Sequence, residues 1–250
     1  MAAKQRADWT GVVHASVDDR SYIGMPVGSK EAAVLEVMMM RTIRGHLVDH
    51  PDQRFFVEPV KFYDIAGKLY LMYLSVSDTV DLDSCIVGGC ICSDVRTIRN
   101  TAASVCRALR SAHKHGMVHG SLNPRCVTLD STGGVRVMFS VAPAAVSRYT
   151  PPEEDTRTAA GDMWALGTML MDMCGPECRR SPHARSLCDL ASRLTATDPA
   201  ARMSAQSALA HRAFDGVTAE ATLAYAAVAA PPVQMNRSVP IPMARPLSFH

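Results

Sequence analysis

The sequence predicts an α+β fold of two unequal lobes, a small β-rich lobe carrying one helix and then a larger, mostly helical lobe. Three observations predict it. Up to Leu74, short apolar runs alternate with turn residues; Lys30 to Arg44 contains neither Gly nor Pro; and from about Asp94 the apolar residues switch to helical spacing.

The elements follow in order. Gly11-Val-Val-His-Ala-Ser-Val17 and Ser21-Tyr-Ile-Gly-Met25, separated by the turn residues Asp18-Asp19, read as a hairpin. The helix from Lys30 to Arg44 places Leu35, Met38 and Met39 on one face. Two further strands, Phe55 to Phe62 and Lys68 to Leu74, join at Ala66-Gly67. Val95 to His115 repeats Ile98, Ala102, Val105 and Leu109 at helical spacing, and Gly116 stops it behind cations that suit the helix dipole. Val127 to Leu129 and Val135 to Met138 read as a hairpin around Asp130-Ser-Thr-Gly-Gly134. A long helix from Asp162 to Met173 and several shorter ones complete the pattern, with Asp198-Pro199 and Ser204 as caps for the last. This divides the chain into 10–74, a linking segment 75–93, a helical lobe 94–214, and an Ala- and Pro-rich extension 215–250 with no internal repeat.

Composition narrows the function classes. A chain of 250 residues with 48% hydrophobic and 20% charged residues buries a full core. The net charge of +2 is scattered, so neither nucleic acid nor an anionic membrane is implied as a partner. No apolar run is long enough to span a bilayer. Met1-Ala-Ala-Lys-Gln lacks the apolar core of a signal peptide, which leaves a cytosolic chain or one whose leader has been removed. Eight cysteines lean toward an oxidising compartment, with local disulfides expected among Cys174, Cys178 and Cys188 and the other thiols buried. Cys90-Ile-Cys92 and Cys174-Gly-Pro-Glu-Cys178 lack zinc-knuckle spacing, and His113, His115 and His119 are better explained by a helix end and a loop brace than by a metal cluster. No metal or cofactor is therefore expected. Asn236-Arg237-Ser238 fits an N-glycosylation acceptor.

Four motifs carry a resemblance. Val118-His-Gly-Ser-Leu-Asn-Pro-Arg-Cys126 resembles the protein-kinase catalytic loop V-H-R-D-L-K-P-E-N, Thr150-Pro-Pro-Glu153 resembles A-P-E, and Asp162-Met-Trp-Ala-Leu-Gly167 resembles D-x-W-x-x-G. Asp198-Pro-Ala-Ala-Arg202 resembles the late D-P-x-x-R element. In family, the chain is most similar to the rhoptry-kinase superfamily of apicomplexan parasites, and to the subgroup without a glycine-rich loop, because no G-x-G-x-x-G precedes Glu36. The similarity covers about residues 10 to 214 and is firmest in the helical lobe.

That resemblance implies a protein-kinase-like bilobal fold with its chemistry removed. Phosphoryl transfer needs a phosphate-covering loop, a lysine, metal-binding Asp and Asn, and a catalytic Asp. Matched residue by residue, the catalytic Asp is Ser121, the Lys two residues on is Asn123, and the metal-binding Asn is Cys126. The D-F-G triplet falls on Phe139-Ser140-Val141, give or take one residue, and the strand lysine falls on Met25. Glu36 survives without that partner, and Lys30 or Lys61 is a candidate to reach the phosphates from another element. A soft thiol is a poor magnesium ligand, and a hydroxyl supplies no ready base. The framework is kept: His119 and Asp162 are expected to brace the loop, Glu153 and Arg202 to form a buried ion pair, Trp164 to lie in the core, and Gly167 to be retained as a motif position. Gly120 replaces the arginine that would receive an activation-loop phosphate. The resemblance thus implies a secreted, non-catalytic interaction module, with a partner kinase or a vacuolar or cyst-wall protein as its target. The alternative is an atypical kinase that binds nucleotide through rearranged residues. A small-molecule or heme-type binder on an unrelated helical fold requires the four ordered motifs to be coincidence.

Overall fold

The computed structural model describes residues 13–17, 20–57, 59–65, 68–74, 79–89, 91, 94–130, 134–139, 146–175 and 182–217. It is α+β: an antiparallel sheet with one helix in the N-terminal portion, and a helical C-terminal portion. Strands β1 (Val13–Val17), β2 (Arg20–Val27), β3 (Pro59–Ile65) and β4 (Lys68–Leu74) form a sheet in the order β1-β2-β4-β3. β1 and β2 pair from Val13 opposite Gly24 to Val17 opposite Arg20, and β2 pairs with β4 so that Met25 lies opposite Leu71.

Helix α1 (Lys30–His46) begins where the Ser29 side chain accepts the Ala32 N–H. It runs past Arg44, and its buried face is not the one marked by Leu35, Met38 and Met39. Ala33, Glu36, Val37, Met40 and Ile43 point inward, whereas Leu35 and Met38 are 53% and 60% exposed. Apolar residues lie on both sides of this helix, so periodicity alone does not choose between them. The choice falls to the side whose one acid, Glu36, meets a buried donor on β4.

The strand expected from Phe55 starts only at Pro59. Pro51–Phe55 instead forms a 3-10 turn, with Pro51 in its first turn and the His50 ring accepting the Asp52 N–H. Phe55 and Phe56 consequently enter the core.

Beyond β5 (Val80–Asp81) and α2 (Leu82–Val87), helix α3 (Val95–Lys114) forms the axis of the helical portion. Ile98, Ala102, Val105 and Leu109 are fully buried on it. Gly116, with φ near +71°, ends it, and Met117 N–H reaches back to Ala112 O. Strands β6 (Val127–Leu129) and β7 (Val135–Val137) form the expected hairpin, and β5 adds to its edge.

Helix α4 (Ala159–Met173) starts three residues before Asp162, because Thr158 supplies the cap to Gly161 N–H. Asp162 therefore lies within the first turn. Helix α5 (Pro182–Leu194) packs against α4 where Gly167 has no side chain: a Cβ there would meet Leu194 Cβ at 2.8 Å. Asp198 caps a 3-10 turn at Pro199–Ala201, and Ser204 caps α6 (Ala205–Leu209), so both proposed caps are used. No helix among the described residues is long and apolar enough to cross a membrane.

Candidate functional site

The sheet meets the helical portion through an apolar cluster. Ile23, Met25 and Val27 from β2, Ala33 and Val37 from α1, and Leu71 and Tyr73 from β4 pack with Cys126 and Met138 from the helical portion. Met25 is 5% exposed, Cys126 1% and Met138 2%, so the joint is closed to water at these side chains. Burial pushes the Cys126 thiol up to about 12, and it accepts a hydrogen bond from Asn123 Nδ2 at 3.2 Å.

Glu36 enters this cluster fully buried. It is not without a partner there: the Tyr73 hydroxyl lies against its Oε1, and the same hydroxyl is 3.2 Å from Phe139 O. Burial holds the Tyr73 hydroxyl well above the ordinary phenol range, and the neighbouring Glu36 charge pushes the same way. Tyr73 is thus one partner of Glu36, whose usual lysine partner is replaced by Met25 on the motif reading. Lys30 stands at the exposed N-terminus of α1, and Lys61 belongs to β3.

A second group forms around Asp162, which is 1% exposed at the start of α4. Its Oδ2 accepts the His119 N–H at 2.9 Å, its Oδ1 accepts the Gly120 N–H at 2.8 Å, and His113 Nε2 donates to Oδ2 at 2.8 Å. His119 itself is buried. Its Nε2–H donates to Met138 O at 2.9 Å while Nδ1 takes the Ser121 N–H at 3.3 Å, a pairing that requires the neutral Nε2–H tautomer. Burial lowers the pKa of His119, against the opposing pull of Asp162. Phe139 lies on the His119 ring with 4.6 Å between centroids and on Phe56 with 5.7 Å.

Ser121 and Asn123 follow on a turn opened by Gly120 at φ near +72°. Asn123 spends its amide locally, donating to Ser121 O at 2.9 Å and accepting the Arg125 N–H at 3.0 Å. A cleft of about 140 Å³ opens beside them, lined by Gly120, Ser121, Asn123, Tyr149, Thr150 and Arg157. A Cβ on Gly120 would meet the Arg157 guanidinium at 3.1 Å. The Arg157 guanidinium, from the segment before α4, therefore packs against Gly120.

Glu153 and Arg202 pair through two bonds of 2.6 and 2.7 Å, with the Arg202 side chain fully buried and Glu153 18% exposed. Arg202 also donates to Ala196 O at 2.8 Å and Ala160 O at 3.2 Å. The Arg202 bonds hold the Glu153 carboxyl below the usual carboxylate range. Trp164 is half-buried, not core: its ring carries the Arg202 guanidinium at 4.9 Å.

The three histidines do not converge. His113 turns to Asp162, His115 stacks on His46 at 4.4 Å, and His119 turns to Met138. No group of three or more metal-ligating side chains occurs among the described residues. No disulfide joins Cys174 to Cys188: Cys188 keeps a free, exposed thiol on α5, while Cys174 is buried at the end of α4. Cys178, Cys90, Cys92, Ser140, Val141 and the Asn236 motif lie outside the described residues.

Tyr73 and Arg157 are the two site residues that motif counting missed. Tyr73 carries a signal in retrospect, sharing the inward side of β4 with Leu71 while bearing a hydroxyl that demands a partner. Arg157 carries none, since only folding brings it over Gly120. No protein-family model matches the chain, and no curated protein matches it in sequence.

Proposed function

We propose that the chain is a secreted pseudokinase: a protein-kinase-like fold that binds a protein partner and transfers no phosphate. The motif resemblance to the rhoptry-kinase superfamily, and within it to the bradyzoite pseudokinase, motivates the class. The joint between sheet and helices carries the argument. On that resemblance Met25 stands for the phosphate-pairing lysine and Cys126 for the metal-binding Asn. Both belong to one buried apolar cluster with Tyr73 and Met138.

A triphosphate with its divalent ions requires opposite charge and oxygen ligands there, and meets carbon and sulfur. Moving the D-F-G register by one residue sets its phenylalanine on Phe139 and its Asp on Met138, so neither register supplies a carboxylate. Ser121 offers a hydroxyl where a base is needed, and Asn123 is occupied by its own turn. Losing a base removes roughly a hundredfold or more in rate, and losing the metal clamp removes several kcal/mol of transition-state stabilisation. The retained features act on shape: the Asp162 brace and the Glu153–Arg202 pair fix the loops whose surface a partner would contact. The partner class is an active kinase or a vacuolar or cyst-wall protein, and the place of action is the parasitophorous vacuole or cyst wall reached by secretion.

Thermal unfolding with ATP, with and without magnesium, tests this reading. A ligand at a hundred times its dissociation constant stabilises a fold by about 2.7 kcal/mol. No shift is expected. A magnesium-dependent shift together with phosphate transfer that is lost in Glu36→Ala overturns the proposal in favour of an atypical kinase.

A further inference from the structure

The cleft beside Gly120 presents hydrogen-bond donors that the fold does not use. Three atoms of the Arg157 guanidinium stand 3.1–3.2 Å from where a Gly120 Cβ would be, so the group lies face-on to the loop with its N–H edge turned aside. Among the described residues this side chain has no carboxylate or carbonyl partner, and Asp155 takes the Arg157 backbone N–H at 3.3 Å, not the guanidinium. Ser147 and Thr150 add two hydroxyls, and the turn they close holds both oxygens in place. Thr150 N–H reaches Ser147 O at 3.0 Å, Thr150 Oγ1 accepts the Ser147 N–H at 3.0 Å, and Ser147 Oγ accepts the Tyr149 N–H at 3.3 Å. A hydroxyl that accepts still has its own proton to donate. Among the described residues neither of these protons is donated to an acceptor.

The carboxylate and the amide of the cleft are already spent. Asp162 receives three donors, the Asn123 amide oxygen takes the Arg125 N–H, and the Tyr149 hydroxyl is committed to Asp172 at 2.8 Å. A space of about 140 Å³ bordered by one guanidinium and two hydroxyl donors, with no carboxylate left to compete, is complementary to an oxyanion. We propose that this cleft binds a phosphate monoester carried on a side chain of a partner protein. Arg157 pairs with two of its oxygens through parallel N–H groups, and the Ser147 and Thr150 hydroxyls donate to what remains. A carboxylate, with two oxygens against three, leaves part of this donor set unused. The anion site stands on the donor geometry alone, and its delivery by a protein rests on the interaction-module reading.

The test is binding of the full chain to short degenerate peptide pools whose central residue is phosphoserine, serine or glutamate. Fluorescence anisotropy reads it at low salt, where charge screening is weakest. The phosphoserine pool is expected to bind and to be displaced by inorganic phosphate, and the serine pool is expected not to bind. Arg157→Gln is expected to weaken the phosphoserine pool about tenfold to a hundredfold, and Ser147→Ala about threefold to tenfold. Arg157 is exposed, and should Arg157→Gln still fail to fold, Ser147→Ala decides alone. Equal binding by the unaltered chain and the variants overturns the site. A glutamate pool that binds as tightly as the phosphoserine pool overturns the phosphate assignment. Binding of inorganic phosphate with no binding of any pool overturns delivery by a protein. No nucleotide enters this test, so its failure leaves the absence of phosphate transfer untouched. A magnesium-dependent shift with ATP removes the pseudokinase reading and leaves Arg157-dependent phosphoserine binding standing.

Discussion

Glu36 and Asp162 are both carboxylates withdrawn from water, yet they sit in opposite surroundings. Asp162 is met by two backbone N–H groups and a histidine, each aimed at an oxygen. Glu36 lies among methionine, valine, cysteine and tyrosine side chains, with the Tyr73 hydroxyl against it. A buried carboxylate is tolerated only when its oxygens find donors. At Asp162 the donors belong to the backbone of the loop it holds, so the group shapes that loop. At Glu36 the Tyr73 donor is a side chain from a neighbouring strand, so the pair ties α1 to the sheet and, through the same hydroxyl, to the Phe139 carbonyl.

The largest effect expected from this contrast is at Asp162. Asp162→Ala leaves the His119 and Gly120 N–H groups and the His113 ring without their acceptor. The loss is expected to be roughly 3–5 kcal/mol of stability, read as a lower denaturant midpoint at unchanged slope. A cost below about 1 kcal/mol would show that water replaces the brace and that Asp162 and Glu36 do not differ in this respect.

Next in size is the Glu153–Arg202 pair. Arg202→Met is expected to cost roughly 3 kcal/mol, the lower end for a buried pair because Glu153 is partly exposed and rehydrates. The same pair and His119 contribute to the acid limit. His119 has a lowered folded pKa, so its neutral form favours the fold. Below about pH 6.5 the unfolded chain takes up a proton that the fold resists, and stability falls as pH drops toward the folded value. Glu153, also lowered, contributes stability that is complete above about pH 4.3 and is lost as pH falls through its folded value. Unfolding across pH 3 to 8 is expected to show both slopes, with the lower one reduced in Arg202→Met, since Asp189 keeps its own lowered pKa.

Tyr73→Phe comes third. Removing the hydroxyl while Glu36 stays buried is expected to cost roughly 1–3 kcal/mol. The double change Tyr73→Phe with Glu36→Met, which removes both polar groups, is expected to recover most of it. No recovery would mean that Glu36 is held mainly by other contacts.

What the residues announced in advance divides along the same line. The Asp162 brace and the Glu153–Arg202 pair join positions that ordered motifs mark, so partners far apart in sequence are legible together. Asp198 and Ser204 declare their roles as caps, whereas the Thr158 cap, which starts α4 before Asp162, was not read. Glu36 was legible and its partner was not, because Tyr73 lies on a strand whose pattern reports only which side is apolar. The inward face of α1 was illegible for a related reason. Leu35 and Met38 are as apolar as Val37 and Met40, and the side that turns inward is fixed by β4, not by the helix. Pro51 could have warned that no strand starts at Phe55, since a proline followed by Asp52 favours a turn.

The smallest expected effect changes no stability and reads the apolar cluster directly. Cys126 lies beside Glu36, and burial lifts its thiol to about 12, while Cys188 stands exposed on α5. The thiolate is the species that alkylates, so a rise of roughly three units above an ordinary thiol lowers its fraction about a thousandfold near neutral pH, before steric protection is counted. Iodoacetamide is therefore expected to label Cys188 quickly and Cys126 at least about a thousandfold more slowly, as read by peptide mass spectrometry. Cys106, also lifted to about 12 by burial in the helical core, serves as the internal standard. If Cys126 reacts much faster than Cys106, the sheet parts from the helices without global unfolding. The joint then opens often enough for a ligand to enter. Matching rates for the two buried thiols instead tie exposure of the Glu36 cluster to unfolding of the whole chain, as a closed joint requires.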